Sequence, residues 1–576
     1  MAPAVVASAL ALGASSCARD TTPSVDRRPA LTISVVGTSD LHGGVLPEEG
    51  RGGLALLDGY LRNLRAARQS DGGGVLLLDA GDLFQGTLES NLNEGQVVVA
   101  AYNALGYAAA AVGNHEFDYG PIGEAATPVT PQDDPRGALK ARAAEALFPF
   151  LAANIIDQSS GRPVNWPNVR PSAIVVVAGV RVGVVGLTTL RTLSATMAAN
   201  TVGLTIAPLA PALATEATRL RTAGATIVIA VAHAGGRCTM FDNPSDLSSC
   251  GADEEIFQVA RALPGGLVDA IVAGHRHFGI AHEVAGIPII SSYWHGVAFG
   301  RIDLVVDPAS RRVTSHRLFP PQDLCAALDP AARTCVPPSS ATAVPAVYEG
   351  RPVGASPDVD RILAPAVDRA RTVKEQPLNG HIADALPRAT NEESALGNLF
   401  ADWSRAAAGT EVAISNSGGI RADLPAGPLT FGRLYAVTPF DNREMTVTLT
   451  GAELRRIIAN NLQQRGSFML LSGVRATAVC ASGQLRVALR RDSGRPVTDT
   501  DTLRVATSDF LVESGDGFFT PVLPLRDVKD GGRLVRDGIA DWIQRHGTTW
   551  RAADLLPRGK RRVTYPGARP VQCDNQ

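Results

Sequence analysis

The chain has 576 residues, 45% of them hydrophobic and 19% charged, with 54 Lys and Arg against 56 Asp and Glu for a formal net charge of −2. That composition excludes a disordered chain, and the balanced charge, with no long basic run, argues against a polymeric nucleic acid partner, whose phosphates call for a strongly cationic face. At roughly 150 residues per domain the length suggests about four domains, or two to three large α/β units.

The first predicted element is an apolar stretch at 2–16, APAVVASALALGASS, too short to span a bilayer comfortably and ending in small residues before Cys17. It reads as a secretory h-region. Ala14-Ser15-Ser16-Cys17 resembles a bacterial lipobox, so the expectation is an exported chain, periplasmic or at the cell surface, attached to a membrane only through a lipid on Cys17. A plainly cleaved signal is the alternative. Six further cysteines suit an oxidising compartment. Two close pairs stand out, Cys238 with Cys250 and Cys325 with Cys335, which leaves Cys480 to tie down the tail through Cys573. None has the CxxC spacing of a zinc or redox site.

From residue 31 onward, short β-branched runs keep ending in polar residues: LTISVVGTSDLH, GVLLLDAGD, AAAAVGNHE, TIVIAVAH and VDAIVAGHRH. These read as buried strands that each deliver a polar tip. Helix-like patterns at 53–69 and 95–105 lie between them, which predicts a layered α/β domain with its ligand beyond the strand ends. The Pro-, Ser- and Ala-rich segment 336–356 reads as a linker and 357–374 as a helix. A second domain follows, with strand candidates MTVTLT and VRATAV, the helical GAELRRIIANNLQQR, and glycine-rich turns at 416–421 and 514–518. The expected organisation is therefore a signal or lipobox segment at 1–17, a first domain at 31–340, a linker and hinge helix at 341–374, and a second domain at 375–565.

The strand tips carry Asp40, His42, Asp82, Asn114, His115, His233, His275 and His277. Carboxylate, amide oxygen and imidazole without cysteine suit two divalent ions drawn from Zn, Mn, Co or Fe. A dinuclear site with ions about 3.5–4 Å apart needs one shared carboxylate and about three more ligands per ion, which these residues without His115 can supply.

DLH at 40–42, GDLFQGT at 81–87, GNHEFDYG at 113–120, His233 and GHRH at 274–277 resemble the calcineurin-like metallophosphoesterase signature. GNLFADW at 397–403, NSGGIRADL at 416–424, TPFDN at 438–442 and SDFLVESGDGF at 508–518 resemble the C-terminal domain of 5′-nucleotidases. The resemblance implies a four-layer α/β/β/α metallophosphoesterase domain and a second, smaller α/β substrate-binding domain. It implies hydrolysis of 5′-nucleotides to nucleoside and phosphate, with UDP-sugars or di- and triphosphates as further substrates. Asp40, His42 and His277 would hold one metal, Asn114, His233 and His275 the other, and Asp82 would bridge them. His115 would be catalytic, oriented by Asp118. In the second domain Phe440 and Phe510 would sandwich the base, Asp516 would contact ribose, Asn416 would lie near the base and Arg421 would reach the phosphate.

Two departures stand beside this. Arg276 sits between His275 and His277 where the family usually has Ser or Thr, and Arg388 is the nearest arginine before GNL but out of register. Residues 121–145 read as an inserted loop with no assigned role. A 2′,3′-cyclic-nucleotide 2′-phosphodiesterase with 3′-nucleotidase activity is an alternative within the fold. A non-catalytic surface binding protein is another, against which Asp82, Asn114, His115 and Asp118 all stand intact. No GxGxxG after a strand and no P-loop occurs.

Overall fold

The computed structural model describes Met1 and residues 30–573 apart from 49, 124 and 514; the segment at 2–17, with Cys17, lies outside the described residues. Strand Leu31–Thr38 shows why the fold begins as it does. Ile33 and Val35 point into one apolar layer and Val36 into another, so a run buried on both faces cannot alternate with polar residues. Its neighbours Gly74–Asp79, Ala109–Ala111, Phe150–Leu151 and Val169–Arg170 extend a parallel core to one side. Ala298–Val306 and Val313–Asp323 add antiparallel strands to the other, completing seven.

A six-stranded sheet packs face to face on the first. Val180–Thr188, Ile227–His233, Ala270–Ala273 and Ile287–Ser292 run parallel at its centre, with antiparallel edges Ser172–Val177 and Gly279–Val284. Between the sheets lie Ile33, Val35, Leu76, Val182, Ile229 and Val272. Helices cover both outer faces. Leu54–Ser70 turns Leu54, Leu57, Leu61 and Leu64 inward at helical spacing onto the first sheet, joined by Gln96–Leu105; Leu209–Thr222 and Glu255–Ala262 cover the second. The result is the four-layer α/β/β/α arrangement, with the carboxyl ends of both parallel sets on one edge.

The segment read as a linker is packed rather than free. Val344–Pro345 pairs with Ala327–Leu328, Val347–Tyr348 with Arg351–Pro352, and the Tyr348 ring lies 5.1 Å from that of Tyr60. Helix Pro357–Lys374 follows, with Pro357 at the first turn, where a missing N–H costs nothing, and a second proline, Pro365, in its interior.

The second domain is built on a five-stranded sheet in the order Met469–Ser472, Val412–Asn416, Thr502–Ser508, Arg443–Thr450, Arg526–Leu534. Helix Gly451–Leu462 starts at a reciprocal cap, the Thr450 hydroxyl accepting from the Glu453 N–H while the Glu453 carboxylate accepts from the Thr450 N–H. Three disulfides close, the two near pairs Cys238–Cys250 and Cys325–Cys335 and the remaining pair Cys480–Cys573. Among the described residues no helix is long and apolar enough to cross a membrane.

Candidate dinuclear metal site and nucleotide cleft

Each ligand candidate stands at the end of a strand. Asp40 and His42 follow Leu31–Thr38, Asp82 follows Gly74–Asp79, Asn114 follows Ala109–Ala111, His233 ends its strand, and His275 and His277 follow Ala270–Ala273. Five of the seven have left-handed backbones: Asp40 at φ 51°, His42 at 48°, Asp82 at 61°, His275 at 74° and His277 at 59°. For residues with a Cβ that conformation costs on the order of 1 kcal/mol each and survives only where the surroundings over-determine it. Gly113 shows how tight the loops are, since a Cβ there would sit 2.2 Å from Asp82 Oδ1.

The side chains converge in two groups. His42 Nε2 is 3.2 Å from His277 Nε2, and His277 Nε2 is 3.5 Å from Asp40 Oδ1. His233 Nε2 is 3.1 Å from both His275 Nδ1 and Asn114 Oδ1. Asp82 Oδ2 lies between the groups, 3.0 Å from His233 Nε2 and 3.8 Å from His42 Nε2. Imidazole nitrogens face to face at this distance need a proton or a cation between their lone pairs. His42 Nδ1 donates to the Gln85 carbonyl at 2.8 Å and His233 Nδ1 to the Ala80 carbonyl at 2.9 Å, so in both rings the Nε2 lone pair is the one presented. The Asn114 Nδ2 donates to the Ala195 carbonyl, which turns its oxygen inward.

The charge states divide the site: against the effect of burial, Asp82 pushes His233 up to about 10, a proton that a bound cation would replace, and burial raises Asp40 to about 7. Burial pushes His42 and His277 well below the usual histidine value and His275 to about 3, so all three are neutral donors. Asp82 is buried as well, but His233, His115 and His42 hold its carboxyl well below the usual range, and it stays ionised. The donors present therefore fit two divalent cations sharing one carboxylate.

Glu116 is a functional residue that sequence reasoning missed. It is fully buried, and its carboxylate accepts from the N–H of Asp82 at 2.9 Å, of Leu83 at 2.6 Å and of Gly113 at 2.7 Å, locking together the loops that carry Asp82 and Asn114. Its signal was only its place inside GNHEFDYG. Asp79 acts similarly one step earlier, accepting from Gly81 N–H, Thr38 and Tyr102.

His115 sits beside the metal groups, its ring centroid 5.1 Å from that of His42. Its Nδ1 contacts Asp118 Oδ2 at 2.6 Å, and Asp118 Oδ1 accepts from the Thr196 hydroxyl at 2.8 Å. Burial alone would lower its pKa; Asp118 and Asp82 outweigh that and raise it.

The second domain closes the cleft from above. Asn416, Arg421, Phe440, Phe510 and Asp516 line the same cavity as Asp82, Asn114, His115, Asp118, His275 and His277. Arg421 Nη2 reaches 3.5 Å from His42 Nε2 and its guanidinium lies 5.6 Å from the centre of the Phe440 ring, with no carboxylate in ion-pair contact among the described residues. Phe440 stacks on His115 with centroids 5.7 Å apart. Phe510 packs against Gly515, where a Cβ would meet its ring at 2.5 Å, and Asn416 Nδ2 donates to Asp516 Oδ2 at 2.7 Å. Gln85 and Asn91 of the first domain hold the Phe440 loop by donating to the Pro439 carbonyl. Arg276 turns instead to Glu254 at 3.5 Å and does not line the cavity. Within 121–145, Ala126 accepts from Asn200 and Arg136 donates to the Asn200 and Val202 carbonyls, backing the turn whose residues 195–197 line the cleft.

Residues 33–279 match the family model for calcineurin-like phosphoesterase, and residues 374–523 match that for the 5′-nucleotidase C-terminal domain. Protein UshA of Yersinia enterocolitica is 26% identical over 559 residues, covering 92% of this chain and 93% of its own. A 5′-nucleotidase of Vibrio cholerae is 24% identical over 541 residues, covering 89% and 90%. Among solved structures, a 5′-nucleotidase precursor from Thermus thermophilus shares the fold with a TM-score of 0.70 at 24% identity, over 93% of this chain and 99% of that one.

Proposed function

The chain belongs to the 5′-nucleotidase family, a calcineurin-like phosphoesterase domain joined to a 5′-nucleotidase C-terminal domain, and on that premise we propose that it is a metal-dependent phosphohydrolase that converts nucleoside 5′-monophosphates to nucleoside and phosphate. One observation carries the reading: an ionised Asp82 between two histidine groups, at the floor of a cavity whose roof is two phenylalanines and an arginine. Asp40, His42 and His277 would hold one ion and Asn114, His233 and His275 the other. Zn, Mn, Co and Fe all suit this donor set. Bound there, the ions supply Lewis acidity toward phosphate oxygens and an acidified water.

The chain's own residues do the rest. Arg421, with no carboxylate partner, offers its fork to the phosphate oxygens. His115, held protonated by Asp118, donates a proton to the leaving 5′-oxygen. Phe440 and Phe510 offer two aromatic faces to the base, and Asp516 offers acceptors to the ribose hydroxyls. Three disulfides support an exported protein.

Phosphate release from 5′-AMP, 3′-AMP, 2′,3′-cyclic AMP and UDP-glucose, after chelation and re-addition of Mn, Zn or Co, tests the reading. Metal-dependent release concentrated on 5′-AMP is expected. Preference for the 3′ and cyclic substrates would reassign the chain to cyclic-nucleotide hydrolysis, and silence on all four with metal bound would reject catalysis on nucleotides. Phe510→Ala should raise KM for 5′-AMP by about 5- to 150-fold, as one base–aromatic stack is worth about 1–3 kcal/mol, while sparing p-nitrophenyl phosphate. Equal loss on both substrates would refute the clamp.

A further inference from the structure

The four imidazoles placed as metal ligands are not held alike. His42 and His233 are each keyed by a main-chain carbonyl on Nδ1 and are almost fully buried, their side chains 1% and 0% exposed. His277 has no such hydrogen bond among the described residues, its side chain is 26% exposed, and its backbone is left-handed. Its ring lies instead flat on the indole of Trp294, centroids 5.2 Å apart and planes within 10°. Trp294 in turn stacks on His295 at 4.1 Å and carries the guanidinium of Arg388 5.1 Å from its ring centre.

Arg388 comes from the other domain. Its N–H donates to Asp423 Oδ1 at 2.8 Å and its Nη1 to the Arg421 carbonyl at 3.1 Å, so it travels with the loop that brings Arg421 to His42. It makes no ion pair with a carboxylate among the described residues; the indole face is what it meets.

We propose that Trp294 is a positioning residue that holds His277 in ligand orientation, and that Arg388 braces Trp294 from the second domain when the cleft is closed. This rests on the two-metal reading above. A flat aromatic neighbour restricts rotation of the imidazole about its Cβ–Cγ bond, the task that a hydrogen bond performs for His42 and His233. A cation over the electron-rich indole face is attracted to it, so domain closure stiffens the metal site at a ligand that no main-chain carbonyl holds.

The test measures divalent ions bound per chain in the full-length protein, loaded with zinc and titrated with a chelator in the absence of substrate. Wild type should hold two ions. Trp294→Ala should release one of the two at about 10- to 100-fold lower chelator, the usual cost of losing a group that orients a ligand, while Trp294→Phe keeps the wild-type profile. Arg388→Gln, at the surface of the other domain, should weaken the same ion by a smaller factor. If Trp294→Ala does not fold, Trp294→Leu replaces it with the same expectation, having bulk but no aromatic face. A Trp294→Ala or Trp294→Leu protein that retains both ions like wild type overturns the positioning role, and an unchanged Arg388→Gln profile overturns the brace. A wild-type chain that binds no ion overturns the two-metal reading beneath both.

Discussion

Asp82→Asn should reduce turnover of 5′-AMP by about 10³-fold or more, which corresponds to about 4 kcal/mol of transition-state stabilisation, and should lower bound metal below two ions per chain. The amide keeps the shape but has one oxygen and no charge, whereas the carboxylate is asked to serve both sides of the site. Its Oδ2 faces His233 and His42 while Oδ1 accepts from the His115 N–H at 2.9 Å, so the substitution also unsettles the catalytic loop. Elemental analysis beside a phosphate assay checks both halves; an active and fully metallated Asp82→Asn enzyme would remove Asp82 from the bridge.

His115→Ala should leave both ions in place and lower kcat by about 10²- to 10⁴-fold, the span of general acid–base catalysis. The ring sits between Asp118 and the metal groups, and Asp118 and Asp82 raise its pKa against the effect of burial. A group that acts while protonated loses its effect as pH rises through its pKa, so activity falls on the alkaline side. Asp118→Asn removes the carboxylate that raises that pKa and should shift the alkaline limb of kcat toward lower pH with little change in metal content. A limb that stays in place would assign it to another group, and wild-type turnover in His115→Ala would end the catalytic assignment.

Much of this protein was already set by local sequence. Buried parallel strands need uninterrupted apolar runs, and such runs ending in Asp, Asn or His must deliver those side chains at a carboxyl edge; this is why the candidate ligands in DLH, GDLFQGT, GNHE and GHRH are legible in the sequence. Cysteines 12 and 10 residues apart pair because a short loop returns them to each other, and Cys480 and Cys573 are joined across the second domain.

What local pattern could not decide were the contacts between loops distant in the chain. His42 meets His277 across 235 residues only because the two parallel sheets are stacked with matching edges. Glu116 is an acid like any other until the chain folds it back onto the amides of 82 and 83. Arg276 stands in a ligand motif yet turns away to Glu254, and Arg388, out of register in sequence, comes to rest on Trp294. The burial pattern of each strand is written in its own residues; which loops then face one another depends on sheet order and on how the second domain docks, and those are settled by the packing of the whole chain.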